Sequence, residues 1–255
     1  MKGQLFLLLC AIWLMTWWQK DQLPAQLPHI PELRNEPVQE KVDLDPFLAS
    51  VANENYSIFP KYHYELWGLV VSVHHSDVWW DRMHKRASDY LNIKDICVVW
   101  GDQNTLPEFY RNVEFSSGQW TCYYSTRDMQ AHNLFQGDRF ANNHILADDP
   151  FIAEQIMASE IGDIIHFKGY LSDYKGRLTQ RQTSTTRTDT GNGACETVYI
   201  TDFNLLHRSN AGWKKVHLLS GWIISLWVMI ALTIFFWPIV QEFAGAPSKR
   251  GRLRE

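Results

Sequence analysis

The chain is poor in cysteine, and its four residues, Cys10, Cys97, Cys122 and Cys195, form no C-x-x-C pair. That spacing excludes a recognisable zinc ribbon or thioredoxin motif, both of which rest on close cysteine pairs. Positive charge is lacking too: 24 Lys and Arg against 28 Asp and Glu leave a net charge of −4. A general nucleic-acid binder carries a strong basic bias, so any such role would need a local patch. No internal repeat, no long low-complexity tract and no motif specific enough to name a family is found in the 255 residues.

Apolar residues, by contrast, make up 45% of the chain, and its 12 tryptophans crowd toward the two ends and one middle stretch. From Leu218 to Val240 the sequence reads LLSGWIISLWVMIALTIFFWPIV. About 23 uncharged residues exceed the roughly 20 that a helix needs to cross the hydrocarbon core of a bilayer. Trp222 and Trp237 lie near its two ends, and Lys214, Lys215, Lys249 and Arg250 bracket it, as expected at headgroup level. With no acid or base inside it, the stretch has no ion path of its own. The N-terminal run Leu5–Trp18 follows Lys2 and is apolar over about 14 residues, short for a span and typical of a signal segment. Small residues are missing where a cleavage site would fall, which favours an uncleaved signal anchor over residues 1–20. The basic tail with Lys249, Arg250, Arg252 and Arg254 places both termini in the cytoplasm by the positive-inside rule, and the loop between them outside.

Between these segments, residues 21–55 hold Pro24, Pro28, Pro31, Pro37 and Pro46 and read as an extended stalk, because proline removes backbone donors. Residues 56–213 read as an extracytoplasmic domain. Tyr62–Val73, Ile96–Trp100, Gln119–Ser125, Gly162–Gly176 and Glu196–Phe203 have the aromatic and β-branched content of strands. Ser76 is positioned to cap a helix to about Leu91, with Trp79, Met83, Ala87 and Tyr90 as a core stripe. Asp149-Pro150 opens a second helix, with Phe151, Ile152, Ile156 and Met157 on its apolar face and Gly162 as its stop. The expected fold is α+β: a small antiparallel sheet or partly open OB-like barrel with two helices, plus one or two transmembrane helices, Leu218–Val240 and the signal anchor. Residues 241–255 form the basic tail.

Several side chains are candidates for chemistry. Cys195 with His144 makes a nucleophile–base pair, with Asn143 or Asp189 as orienting group. The loop Gly176–Glu196 carries Arg177, Arg181, Arg187, Asp189 and Asn192 among residues that expose backbone N–H groups, a composition suited to an anion. Asp189-Thr190-Gly191 spells the aspartic-protease triplet, but the polar run Thr183–Thr188 lacks the hydrophobic strand that leads into one. His75 and Asp77 are the candidate metal ligands; His74 and His84 lie close by, and adjacent strand residues point to opposite faces, so only one of His74 and His75 can join Asp77. Cys122 and Cys195 are the candidate disulfide. No cofactor is expected.

These features lead with a membrane-tethered extracytoplasmic binding or assembly domain, an accessory subunit of an envelope complex rather than an enzyme. The alternative is an envelope hydrolase or transferase using the Cys195/His144 pair. The expected partners are the lipid bilayer and a membrane or envelope protein, not nucleic acid, and the expected setting is a bacterial inner membrane.

Overall fold

The computed structural model describes residues 2–191 and 194–245. Two units separate: residues up to Lys20 together with those from Ala211 onward, and Asp21–Asn210. In chain order, helix α1 (Lys2–Gln19) precedes strands β1 (Val38–Lys41), β2 (Phe47–Val51) and β3 (Glu54–His75). A short helix α2 (Met83–Ala87), β4 (Asn92–Val99) and a helical turn α3 (Pro107–Tyr110) lead to the ribbon β5 (Glu114–Ser117) and β6 (Cys122–Ser125). Then come α4 (Met129–Leu134), β7 (Phe140–Leu146), α5 (Pro150–Met157), β8 (Ile164–Lys175), β9 (Gln180–Arg181), β10 (Glu196–His207) and α6 (Ala211–Gly245). The architecture is mixed α+β, with one large sheet and, among the described residues, six α-helices.

In the terminal unit, α1 and α6 pack together. Phe6 meets Trp227 edge-on at 5.8 Å, and Trp13 stacks on His217 at 5.0 Å. The contacts run in opposite chain directions, so the helices are antiparallel. One helical stretch, Ala211–Pro238, is by its 28 residues and apolar composition long enough to cross a membrane. The apolar part of α1, Gly3–Gln19, is shorter. The basic tail and its Lys249, Arg250, Arg252 and Arg254 lie outside the described residues.

The other unit is built on β3, whose aromatic and β-branched composition suits a strand buried along much of both faces. Its 22 residues are long enough to pair with β1, β2, β4 and β8. Around it β4 pairs with β7, β7 runs parallel to β10, β10 pairs with β8, and β8 returns to β3. Tyr64, Leu66, Val70, Ile96, Val98, Ile145, Phe167, Leu171, Val198 and Phe203 form one buried cluster within this circuit. Glycine is required where strands close in: a β-carbon at Gly68 would lie 2.8 Å from that of Val98, and one at Gly169 would collide with the Tyr199 carbonyl. The glycine expected to bend the strand after α5 thus serves as a point of close approach.

The segment expected to be a stalk is part of this unit. Residues of β1 and β2 pair with β3, and Leu33 packs in the core at 3% exposure. Prolines are compatible with this because β1 occupies the sheet's edge, and Pro60, inside β3, sits at a register shift where no regular ladder bond is required. The expected helix from Ser76 to Leu91 shrinks to α2. Trp79 is 86% exposed and Met83 51%, whereas Asp81 and His84 are buried. The polar residues of this segment face inward because bonding partners wait for them there. The second expected helix is present as α5: the Asp149 carboxylate accepts from the N–H groups of Phe151 and Ile152, and Pro150 takes the first turn.

Candidate active site

Strand register explains how distant residues meet. His74 of β3 stands opposite Asp95 of β4, Asp95 opposite His144 of β7, and His144 beside Thr197 of β10. Two residues along, Ser72 faces Cys97, and Cys97 faces Asn142. Cys195 immediately precedes the Glu196–Asn143 pair, so it stands beside Asn142. Because successive side chains alternate between faces, these residues share one face of the sheet. The intervening Ile96, Ile145 and Val198 go to the apolar core on the other.

On the polar face His144 is the hub. Its Nδ1 lies 2.7 Å from the Asp95 carboxylate, and Cys195, on the same face of the sheet, is near enough to act on the charge of the ring. Burial alone would lower the His144 pKa. The Asp95 charge, its hydrogen bond and the sulfur outweigh burial and push the pKa up to about 10. Asp95 moves the other way: burial raises its pKa, but His144 and hydrogen bonds from its neighbours hold it below the ordinary aspartate value. The pair is therefore ionised at neutral pH. Asn142 Nδ2 lies 3.7 Å from the Cys195 sulfur, and that sulfur lies 3.6 Å from the Trp120 carbonyl oxygen. Cys195, Asn142 and Asp189 line a cavity of about 630 Å³ whose apolar wall includes Tyr123, Tyr124 and Phe140.

A second layer braces the hub. Asn92 Nδ2 is 3.2 Å from Asp95 Oδ1 and 3.1 Å from His84 Nε2. Asp81 receives His74 Nε2 at 2.8 Å and His84 Nδ1 at 2.7 Å on one oxygen, while its other oxygen accepts from the N–H groups of Met83 and His84. His74, Asp81 and His84 are all buried, with ligand atoms within 4.8 Å of one another, as a metal site requires. The hydrogen bonds argue for protons instead. An amide nitrogen only donates, so Asn92 makes His84 Nε2 an acceptor and leaves the ring proton on Nδ1, pointing at Asp81. A metal on Nδ1 would need the opposite tautomer. Trp120 roofs this layer, stacked on His84 at 4.0 Å with the Arg181 guanidinium 2.9 Å from its ring centre on the indole. Its φ of 97° is unusual for a residue with a side chain.

The expected site residues are thus redistributed. Cys195 and His144 are brought together, but their orienting group is Asp95. Asn143 turns to the other face with its Nδ2 toward the Ile96 carbonyl, and Asp189 accepts from Ser184 Oγ at 2.6 Å. The three loop arginines diverge: Arg177 forks onto Glu54, Arg181 lies on Trp120, and Arg187 pairs with Glu36. They do not converge on one anion site, and Asn192 lies outside the described residues. Asp77 is exposed and His75 half-buried, with His75 held below its ordinary pKa by burial and the Lys94 charge. The neighbour His74, not His75, turns toward the buried carboxylate. The disulfide joins Cys97 to Cys122, with Cα atoms 6.0 Å apart, and Cys195 is free. The expected Cys122–Cys195 bridge is therefore not formed, because Cys97 on β4 presents its sulfur to the ribbon while Cys195 faces His144.

Sequence reasoning missed Asp81, Asn92, Asp95, Trp120 and Asn142. For Asp95 and Asn142 a signal existed: each lies two residues from a cysteine or histidine, the spacing that puts strand side chains on the same face. No protein-family model matches the chain, and no curated protein or solved structure matches it.

Proposed function

We propose that this chain is a membrane-tethered hydrolase or transferase that uses Cys195 as its nucleophile. The observation that carries the reading is the Asp95–His144–Cys195 row, hydrogen-bonded at 2.7 Å between the first two and opening at the sulfur into a cavity. The binding or assembly reading rests on the anchors, the proline-rich segment and the aromatic-rich domain as well as on the lack of a catalytic constellation, and this row is a candidate for one.

The chemistry follows from the positions. The Cys195 sulfur attacks an acyl carbon held in the cavity, with its proton on His144. Asp95 fixes the ring by accepting from Nδ1, so the other nitrogen faces the sulfur and returns the proton to the leaving group. Asn142 Nδ2, beside the sulfur and on the cavity wall, is placed to donate to the oxygen that gains charge. Water or a second nucleophile then releases the acyl group. The aromatic wall favours an acyl portion with an apolar part.

The five-strand circuit, with α5 between its third and fourth strands, supports reading the domain as a partly open OB-like barrel. Anchoring rests on the 28-residue apolar stretch of α6, with α1 as signal anchor. The Cys97–Cys122 disulfide favours an oxidising compartment, hence a domain outside a bacterial inner membrane, with both termini in the cytoplasm. An envelope protein remains the expected macromolecular partner.

The test is covalent. Full-length Cys10→Ser protein in detergent, mixed with p-nitrophenyl acetate, is expected to gain one acetyl group on Cys195 by intact mass and peptide mapping. Cys195→Ser should abolish the adduct and His144→Gln should slow it. Acetylation spread over surface lysines, with Cys195 unmodified in folded protein, would overturn the assignment.

A further inference from the structure

Two cysteines, Cys122 and Cys195, line this cavity, and a third, Cys97, is bonded to Cys122. The Asn142 amide spans the remaining gap, with Nδ2 3.7 Å from the Cys195 sulfur and Oδ1 3.9 Å from the sulfur of Cys97. Among the described residues, a free cysteine braced by a histidine thus lies within one side chain of a disulfide.

The two halves of that disulfide are not equivalent. Cys97 is fully buried on the sheet, whereas Cys122 is half-buried at the start of β6, in a two-stranded ribbon that, among the described residues, pairs with no other strand. Such a ribbon has little stability of its own. Between its strands Trp120 holds a positive φ, and the carbonyl of that same residue touches the Cys195 sulfur. The ribbon therefore places Cys122 in the cavity that Cys195 lines, and the strained residue is the place where its path can shift. On the far side, Ser117 Oγ lies 3.2 Å from the Cys97 sulfur and 2.5 Å from Ser72 Oγ. A hydroxyl there can donate to a departing sulfur.

We propose that Cys195 undergoes thiol–disulfide exchange with the Cys97–Cys122 disulfide, so that the oxidised chain interconverts between Cys97–Cys122 and Cys122–Cys195 linkages. The Cys195 thiolate attacks the Cys122 sulfur, the Cys122–Sγ bond to Cys97 breaks, and Cys97 leaves as a thiolate that takes a proton from solvent by way of Ser117. One disulfide is consumed and one formed, so no external oxidant or reductant enters the balance. Attack falls on Cys122 because it shares the cavity, while Cys97 leaves toward its hydroxyl donor. The exchanged form has no free nucleophile at position 195, which makes the ribbon a reversible mask. The inference concerns linkage alone and does not depend on acyl transfer.

The experiment uses oxidised full-length Cys10→Ser protein in detergent, incubated near pH 8, quenched in acid at intervals, alkylated, and mapped by peptide mass spectrometry without reduction. The expected result is a Cys122–Cys195 peptide accompanied by alkylated Cys97, growing to a constant fraction and growing several-fold more slowly in His144→Gln. In a Cys97→Ser chain, glutathione disulfide should drive formation of Cys122–Cys195. Finding Cys97–Cys122 alone at every time, with Cys195 always alkylated, would overturn the exchange even if Cys195 is acetylated by the ester. Exchange without acetylation would overturn the acyl-transfer reading and leave this one standing.

Discussion

The two faces of the sheet formed by β4, β7 and β10 differ as sharply as two parts of one protein can. One face carries Ile96, Val98, Ile145 and Val198 into the core; the other carries Asp95, Cys97, Asn142, His144 and Thr197, with Cys195 one residue before β10. Both faces are buried in the folded chain, yet only the first gains from burial by itself. The second avoids the penalty of buried polar groups only because each charge has a partner, Asp95 with His144 and Asp81 with two histidines. A face that gains little from burial, leaves Asp95 Oδ2 and Asn92 Oδ1 without hydrogen-bond partners and opens into a cavity is the one on which the proposed chemistry is placed.

The largest expected effect breaks the polar face. His144→Gln should lower acetylation of Cys195 roughly 10²–10⁴-fold, the usual contribution of a positioned acid–base group, while the cooperative urea transition persists. The reverse break comes next. Ile145→Ala, with Ile145 fully buried, should cost about 2–5 kcal/mol in urea unfolding and leave the acetylation rate of the folded fraction near that of the parent. If the two substitutions moved both readouts together, the faces would not be separable.

A smaller effect is pH-dependent and has the same sign for two groups. His144 rises from 6.5 to about 10 on folding, so its contribution to stability is complete below pH 6.5 and is lost as pH rises toward 10. Glu196, on the apolar side, is pushed up from 4.5 to about 8, chiefly by burial and then by the Asp189 charge, so its contribution is complete below pH 4.5 and is lost as pH rises toward 8. Urea titrations should show unfolding free energy falling from pH 5 to pH 10. Glu196→Gln should flatten the lower half of that slope, and an unchanged slope would show that Glu196 is not buried as a neutral acid. The smallest effect belongs to neither face: Arg177→Ala, which removes an exposed pair with Glu54, should change neither melting nor acetylation.

How much of this could be read from the sequence differs between the same two faces. The apolar one was legible. The expected strands over Tyr62–Val73, Ile96–Trp100, Gly162–Gly176 and Glu196–Phe203 all fall at β3, β4, β8 and β10, because alternation and β-branched content report directly on burial. The Asp149-Pro150 helix start was legible for the same local reason. The polar face was half legible: Cys195 and His144 could be named, but Asp95 could not be linked to them, since only strand register puts it opposite His144. The expected stripe Trp79, Met83, Ala87 and Tyr90 failed because helical spacing says where residues lie on a cylinder and not which side is covered. Here the bonding demands of Asp81 and His84 decided. The proline-rich segment misled because composition cannot distinguish a free extended chain from an edge strand.

The most direct test of the central claim, that Asp95, His144 and Cys195 act as one unit, is the rate of Cys195 alkylation by iodoacetamide at neutral pH in folded full-length Cys10→Ser protein, measured against the same chain in urea and against His144→Gln. The account predicts that folded Cys195 reacts faster than in the unfolded chain and that His144→Gln removes the difference. A folded rate at or below the unfolded rate, unchanged by His144→Gln, would contradict it.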